Sequence, residues 1–158
     1  MDRREKTAFR PQRIMKRAIE SALARLVGQP LWAVGRASSL TWFHFGNRHI
    51  VSTMRGLAKE VGTYALHVDC PWSWTKSWGE AIADQDSDHD DLADVLPTPV
   101  TCTSIEAAND SSFRMTFDDN STLAVEADPD PEVEEYWRLF EPHLLTSHIV
   151  VGPKGVKT

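Results

Sequence analysis

Phe113-Arg114-Met115-Thr116-Phe117-Asp118-Asp119-Asn120-Ser121-Thr122-Leu123-Ala124-Val125-Glu126-Ala127 is the stretch on which the fold turns. Apolar residues at alternate positions mark a half-buried strand on either side of an acidic, Asn-containing turn. Side chains alternate between sheet faces, so Phe113, Met115 and Phe117 join Leu123, Val125 and Ala127 on one face only if opposed residue numbers sum to an even value. The register in which opposed numbers sum to 240 is expected, with a three-residue turn at Asp119 to Ser121. This hairpin sets the expectation of an antiparallel sheet.

Upstream, Leu31 to Val34 and Leu40 to Phe45 are short aromatic and β-branched runs punctuated by Gly35 and Gly46. Tyr64 to Cys70 alternates Tyr64, Leu66, Val68 and Cys70 against Ala65, His67 and Asp69, and Pro71 ends it. Further strands are expected at Val100 to Ala107 and Ser147 to Val151, and one helical turn at Tyr136 to Phe140. Pro11 to Val27 has a helical apolar stripe of Ile14, Ala18, Ala22 and Leu26 and stops at Gly28 and Pro30. The expected class is therefore α+β, an N-terminal helix packed on a mostly antiparallel sheet or partly closed barrel-like body. The expected organisation is a flexible basic arm at 1–10, one domain at 11–152 and a flexible tail at 153–158. Ser77 to Pro99, rich in aspartate, is expected to be mainly an exposed acidic loop within that domain.

At 158 residues, 41% hydrophobic and 25% charged, the chain suits one domain with its own core and excludes collagen-like, low-complexity and wholly disordered classes. No run approaches the roughly 18 apolar residues of a membrane span. Met1 to Arg17 holds seven Lys and Arg against Asp2 and Glu5, in a chain of net charge −6, so the body is strongly acidic. That field disfavours nucleic acid, and no nucleic-acid-binding motif is present. Cys70 and Cys102 belong to no CxxC pair and are expected as reduced, buried thiols in a cytoplasmic protein. No metal, cofactor or membrane partner is expected, and P-loop, GxSxG, HExxH and GxGxxG motifs are absent.

Three groups of residues carry candidate chemistry. Asp84, Asp86, Asp88 and Asp90 match the early spacing of a calcium loop, but His89 stands where the turn glycine belongs and Val95 where the closing glutamate belongs, so a solvated loop is expected. His67 and Asp69 share a strand face about 7 Å apart, as do Trp42 and His44, and an imidazole oriented by a carboxylate is what a general base needs. Trp72, Trp74 and Trp78 follow Pro71 closely, where an exposed loop would make them anchors for a protein contact.

Tyr64-Ala65-Leu66-His67-Val68-Asp69-Cys70-Pro71-Trp72, Phe113-Arg114-Met115-Thr116-Phe117-Asp118 and Tyr136-Trp137-Arg138-Leu139-Phe140 together resemble a group of small bacterial proteins without assigned function, over roughly Leu31 to Gly152. The resemblance implies one compact domain and brings no activity or site residue. The functional expectation is a non-enzymatic binding or accessory protein. It would meet a protein partner through a surface including Trp42, His44, His67, Asp69, Trp72 and Trp74, in one version as an immunity-type antagonist of a basic toxin. The alternative is a small-molecule enzyme using His67 and Asp69, with His44 or Cys70, in a pocket beside the sheet.

Overall fold

The computed structural model describes residues 15–87, 89–130 and 132–158, without the side chains of 89–91. The first turn of the expected helix and the arm at 1–10 lie outside these residues. Helix α1 runs over 15–23 and tightens into a 3-10 turn at Ala24–Leu26, ended by Gly28 at a φ of +85°. The chain then passes into strands β1 (Pro30–Ala37), β2 (Leu40–Ser52), β3 (Ala58–Val68), β4 (Trp72–Thr75) and β5 (Ala81–Asp84). After helix α2 (His89–Val95) come β6 (Val100–Ala107), β7 (Phe113–Phe117), β8 (Thr122–Val125), β9 (Trp137–Glu141), β10 (Thr146–Gly152) and β11 (Gly155–Lys157). All pair antiparallel in the order β11-β10-β9-β3-β2-β1-β6-β7-β8-β4-β5.

That single sheet bends back on itself at the junction of β1 and β6, where only Pro30 and Leu31 bridge to Thr101 and Val100. The halves face each other. Trp72 on β4 packs edge-on against Phe43 on β2, with ring centroids 5.6 Å apart, and Phe113 on β7 meets Trp137 on β9 at 4.9 Å. Two indoles donate across the gap, Trp72 Nε1 to Thr41 Oγ1 at 3.0 Å and Trp137 Nε1 to the Ser111 carbonyl at 3.1 Å. These bonds let large amphipathic rings sit inside without an orphaned N–H. Ile19, Leu23 and Leu26 from the helical entry are buried in the same core. Strands β11 and β5 remain as open edges, so the sheet is not closed. The sheet is antiparallel as expected, but the class is sheet-dominated rather than the expected α+β, and the sheet does not close into a barrel-like body.

The decisive hairpin has the expected face with a shifted register. Phe113 lies opposite Val125 and Met115 opposite Leu123, and these four residues with Phe117 are buried. The turn is three residues long but one position earlier, at 118–120, closed by the Phe117 N–H donating to the Ser121 carbonyl at 2.9 Å. Asn120 supplies the left-handed residue of that turn at a φ of +64°, and the Asp119 carboxylate accepts from the Ser121 N–H at 2.9 Å. Asn tolerates this conformation, so it and not Ser121 ends the turn.

Three other expectations are corrected. Tyr136 to Phe140 is no helical turn: Trp137 and Leu139 are buried while Arg138 and Phe140 face outward, the alternation of strand β9. Ser77 to Pro99 is not mainly loop, because Ala81–Asp84 pairs with β4 and α2 places Leu92 in the core, its apolar stripe being too short to read among six aspartates. The last residues form β11 against β10 instead of a free tail.

Candidate functional site

Opposed residues in an antiparallel pair share a face. Ala33 and Gly35 on β1 stand opposite His44 and Trp42 on β2, Trp42 stands opposite His67 on β3, and His67 stands opposite Arg138 on β9. Phe140 opposes Ala65 beside them. The result is a cluster of indole, imidazole, phenyl and guanidinium groups on the outer side of the sheet, reverse to Phe43, Phe45, Leu66 and Leu139 in the core. Gly35 makes the cluster flat, since a Cβ at that position would collide with the Trp42 indole lying over it.

His44 is the most enclosed member, 6% exposed, with the Trp42 ring at 5.2 Å and the Trp32 ring at 5.7 Å. Its Nδ1 accepts the Gly62 N–H at 3.0 Å, which fixes the proton of the neutral ring on Nε2. Gly62 sits where any Cβ would strike the Phe45 backbone, so a glycine is required for the two strands to approach there. Burial, then the nearby His67 and Lys59 charges, takes the His44 pKa down to about 4. His67 meets the edge of the Phe140 ring at 4.6 Å. Burial, then Arg138 and Lys59, overcomes the opposing pull of Glu135 and lowers its pKa to about 4 as well. Both imidazoles are neutral at pH 7 and are weak bases.

Trp42, His44 and His67 therefore converge as their strand parity requires. Asp69 does not join them. It is exposed beyond the end of β3, its N–H donates to the Tyr136 carbonyl at 2.8 Å, and no hydrogen bond links its carboxylate to either imidazole. The carboxylate nearest in effect to His67 is Glu135, which grips Arg138 through a 2.9 Å hydrogen bond to Nε. The expected His67–Asp69 dyad is absent because Val68 ends β3 and the chain turns toward the opposite half before Asp69 can continue the strand face.

Trp72 and Trp74 are not surface anchors. They belong to β4 and point into the core, 2% and 0% exposed, Trp74 stacking on Phe117 at 4.6 Å. Pro71 ends one strand but does not prevent the next from starting immediately in the facing half. Of the three clustered tryptophans only Trp78, in the β4–β5 turn, is exposed. The residues that sequence reasoning missed are Trp32, Arg48, Arg138 and Phe140. Arg48 lies over the Trp32 ring at 4.2 Å, a cation–π contact, and also pairs with Glu60 at 2.6 Å. The alternation in Trp137-Arg138-Leu139-Phe140 was the available signal for two of them.

Cys70 and Cys102 are free thiols, both buried, and burial pushes each up to about 12. A thiol held protonated in this way is no nucleophile. Neither thiol is expected to react with iodoacetamide at pH 8 over the time in which the unfolded chain is fully alkylated. Mass spectrometry of native and denaturant-treated samples checks this, and rapid native labelling at Cys70 would reopen its nucleophilic role. Elsewhere, His49 and His143 stack at 3.8 Å and His148 pairs with Glu141 at 2.8 Å. Among the described residues no three His, Cys, Asp or Glu side chains are placed to hold a metal ion. A cleft of about 500 Å³ lies on the other half of the sheet, lined by Glu106, Asp110, Ser112, Arg114 and Glu126, and contains none of the sequence-predicted site residues. No helix of the described residues is long and apolar enough to cross a membrane. No protein-family model, curated protein or solved structure matches this chain.

Proposed function

We propose that the chain is a non-enzymatic binding protein that meets a protein partner through the outer face of β1, β2, β3 and β9. The observation that carries this reading is the cluster of Trp42, Phe140 and Arg138 around the two neutral imidazoles of His44 and His67, with no carboxylate aligned on either. Partly buried aromatic rings flanked by arginine offer contact area at small cost in side-chain entropy. The catalytic alternative finds less support, because a general base acts best with a pKa near the working pH and both rings lie well below it. Arg48 and Arg138 on the rim are each paired with a carboxylate, Glu60 and Glu135, and Lys59 adds a further cation, so the described residues of the face offer no acidic patch for a basic toxin.

Affinity capture with the wild-type chain, Arg138→Glu and Trp78→Ala tests this reading. One specific protein is expected with the wild type and with Trp78→Ala. Its affinity is expected to fall by about 2 kcal/mol, roughly thirtyfold, for Arg138→Glu. Equal capture by all three chains would remove the partner from this face. A substrate turnover abolished by His67→Ala would replace the reading with the enzymatic one.

A further inference from the structure

Large apolar side chains are left in solvent at one end of the molecule. Ile50, Met54 and Leu57 are 76%, 106% and 64% exposed in the β2–β3 hairpin, and Leu144 and Leu145 are 60% and 92% exposed in the β9–β10 turn. The two turns belong to adjacent hairpins: β9 runs beside β3, and the His143 ring of the second turn stacks at 3.8 Å on His49 of β2, three residue pairs short of the end of the first hairpin.

These side chains are held out by ordered turns. The Thr53 N–H donates to the Leu57 carbonyl at 2.8 Å and the Gly56 N–H to the Thr53 carbonyl at 2.9 Å, with Gly56 at a φ of +75°. Leu145 occupies the left-handed region at a φ of +54°, which is unfavourable for a residue of its size, and its side chain is almost wholly in water. Among the described residues nothing covers that side chain.

Charge at this end differs from that of the whole. In a chain of net charge −6, residues 48–59 contain Arg48, Arg55 and Lys59 and no acid; Arg48 is paired with Glu60, which leaves Arg55 and Lys59 as the cations beside the β2–β3 turn. We propose that the exposed turns of these adjacent hairpins, Met54 and Leu57 on one and Leu144 and Leu145 on the other, with Arg55 and Lys59 beside the first, dock the protein on an anionic lipid bilayer. The shape favours this occupant over a protein: apolar groups on two convex turns need a medium that deforms around them, and the bilayer interface supplies it. The cations meet the lipid phosphates, and the acidic remainder is repelled, which orients the tips toward the surface. This surface adjoins the outer face assigned to a protein partner and shares Lys59 with it, whereas Met54 and Leu145 belong to the tips alone, so the vesicle test made with those two does not depend on that assignment.

Vesicle flotation of the full chain is the test, with phosphatidylcholine alone and with about one-third phosphatidylglycerol. The wild type is expected to float with the anionic vesicles, to leave them as salt is raised, and to ignore the neutral ones. Met54→Asp combined with Leu145→Asp, and separately Arg55→Glu combined with Lys59→Glu, are each expected to lower binding about tenfold or more. Circular dichroism and an unchanged melting temperature establish that both variants fold. Absence of flotation by the wild type, equal flotation by either variant, or equal binding to neutral vesicles overturns the proposal. Binding of a soluble protein that Met54→Asp abolishes, with no vesicle binding, assigns the tips to that protein instead.

Discussion

Trp72→Ala is expected to destabilise the protein by about 3–5 kcal/mol, the cost of emptying a large buried aromatic site. The indole is 2% exposed and is the point at which β4 closes over β2. Its removal leaves a cavity against Phe43 and strips the donor from the Thr41 hydroxyl, itself fully buried. Trp72→Phe separates the two contributions: most of the ring volume remains and the hydrogen bond goes, so about 1–2 kcal/mol is expected. Denaturant unfolding measures both as shifts in midpoint at constant slope. A wild-type midpoint for Trp72→Ala would mean that the sheet halves do not meet at this ring. The contact-anchor expectation drawn from the sequence forecasts that benign outcome, and burial reverses it.

Acid is expected to destabilise the protein through His44 and His67. Each imidazole has a pKa of about 4 in the folded chain against 6.5 for a free one. Between those values the unfolded state binds more protons, so stability rises with pH across the window. The contribution is complete above about pH 6.5 and is lost as pH falls toward 4. Solvent screening of half-buried His67 reduces the amount below the full linkage value, leaving about 2–4 kcal/mol for the pair. Native carboxylate interactions also fail in acid, so the informative quantity is the difference between wild type and a His44→Asn, His67→Gln double variant. Asn retains an acceptor for the Gly62 N–H. Unfolding free energies at pH 4.5 and 7 should show a smaller acid loss in the variant. Identical losses would mean that the two imidazoles are not held neutral by the fold.

The legible parts of the sequence were those in which period-two alternation ran uninterrupted. Phe113 to Phe117 and Leu123 to Val125 gave their buried face directly, because only one parity puts all five apolar side chains inside. Trp42, His44 and His67 were placed on one face by the same rule, once β2 and β3 were neighbours. What failed was order beyond the strand. Asp69 looks like the next residue of the His67 face, yet the chain has already left β3 for the opposite half of the sheet. Trp72 and Trp74 follow a proline and look like loop residues, but their burial depends on β8 and β2, which are distant in sequence. Residues 46–62 gave no early strand signal because Gly46, at a φ of +87°, opens a bulge that breaks the alternation. The hydrophobic tips at Met54 and Leu145 have no periodicity at all and are visible only as exposure.

The proposed binding role of the outer face rests on imidazoles that are neutral and have no carboxylate to orient them. The most direct measurement is an NMR titration of the His44 and His67 ring resonances in the folded protein between pH 3.5 and 8. Both rings are expected to titrate near pH 4, with His44 protonated only on Nε2 at neutral pH. A midpoint at or above 6.5 for either ring would contradict that role and return a general base to this face.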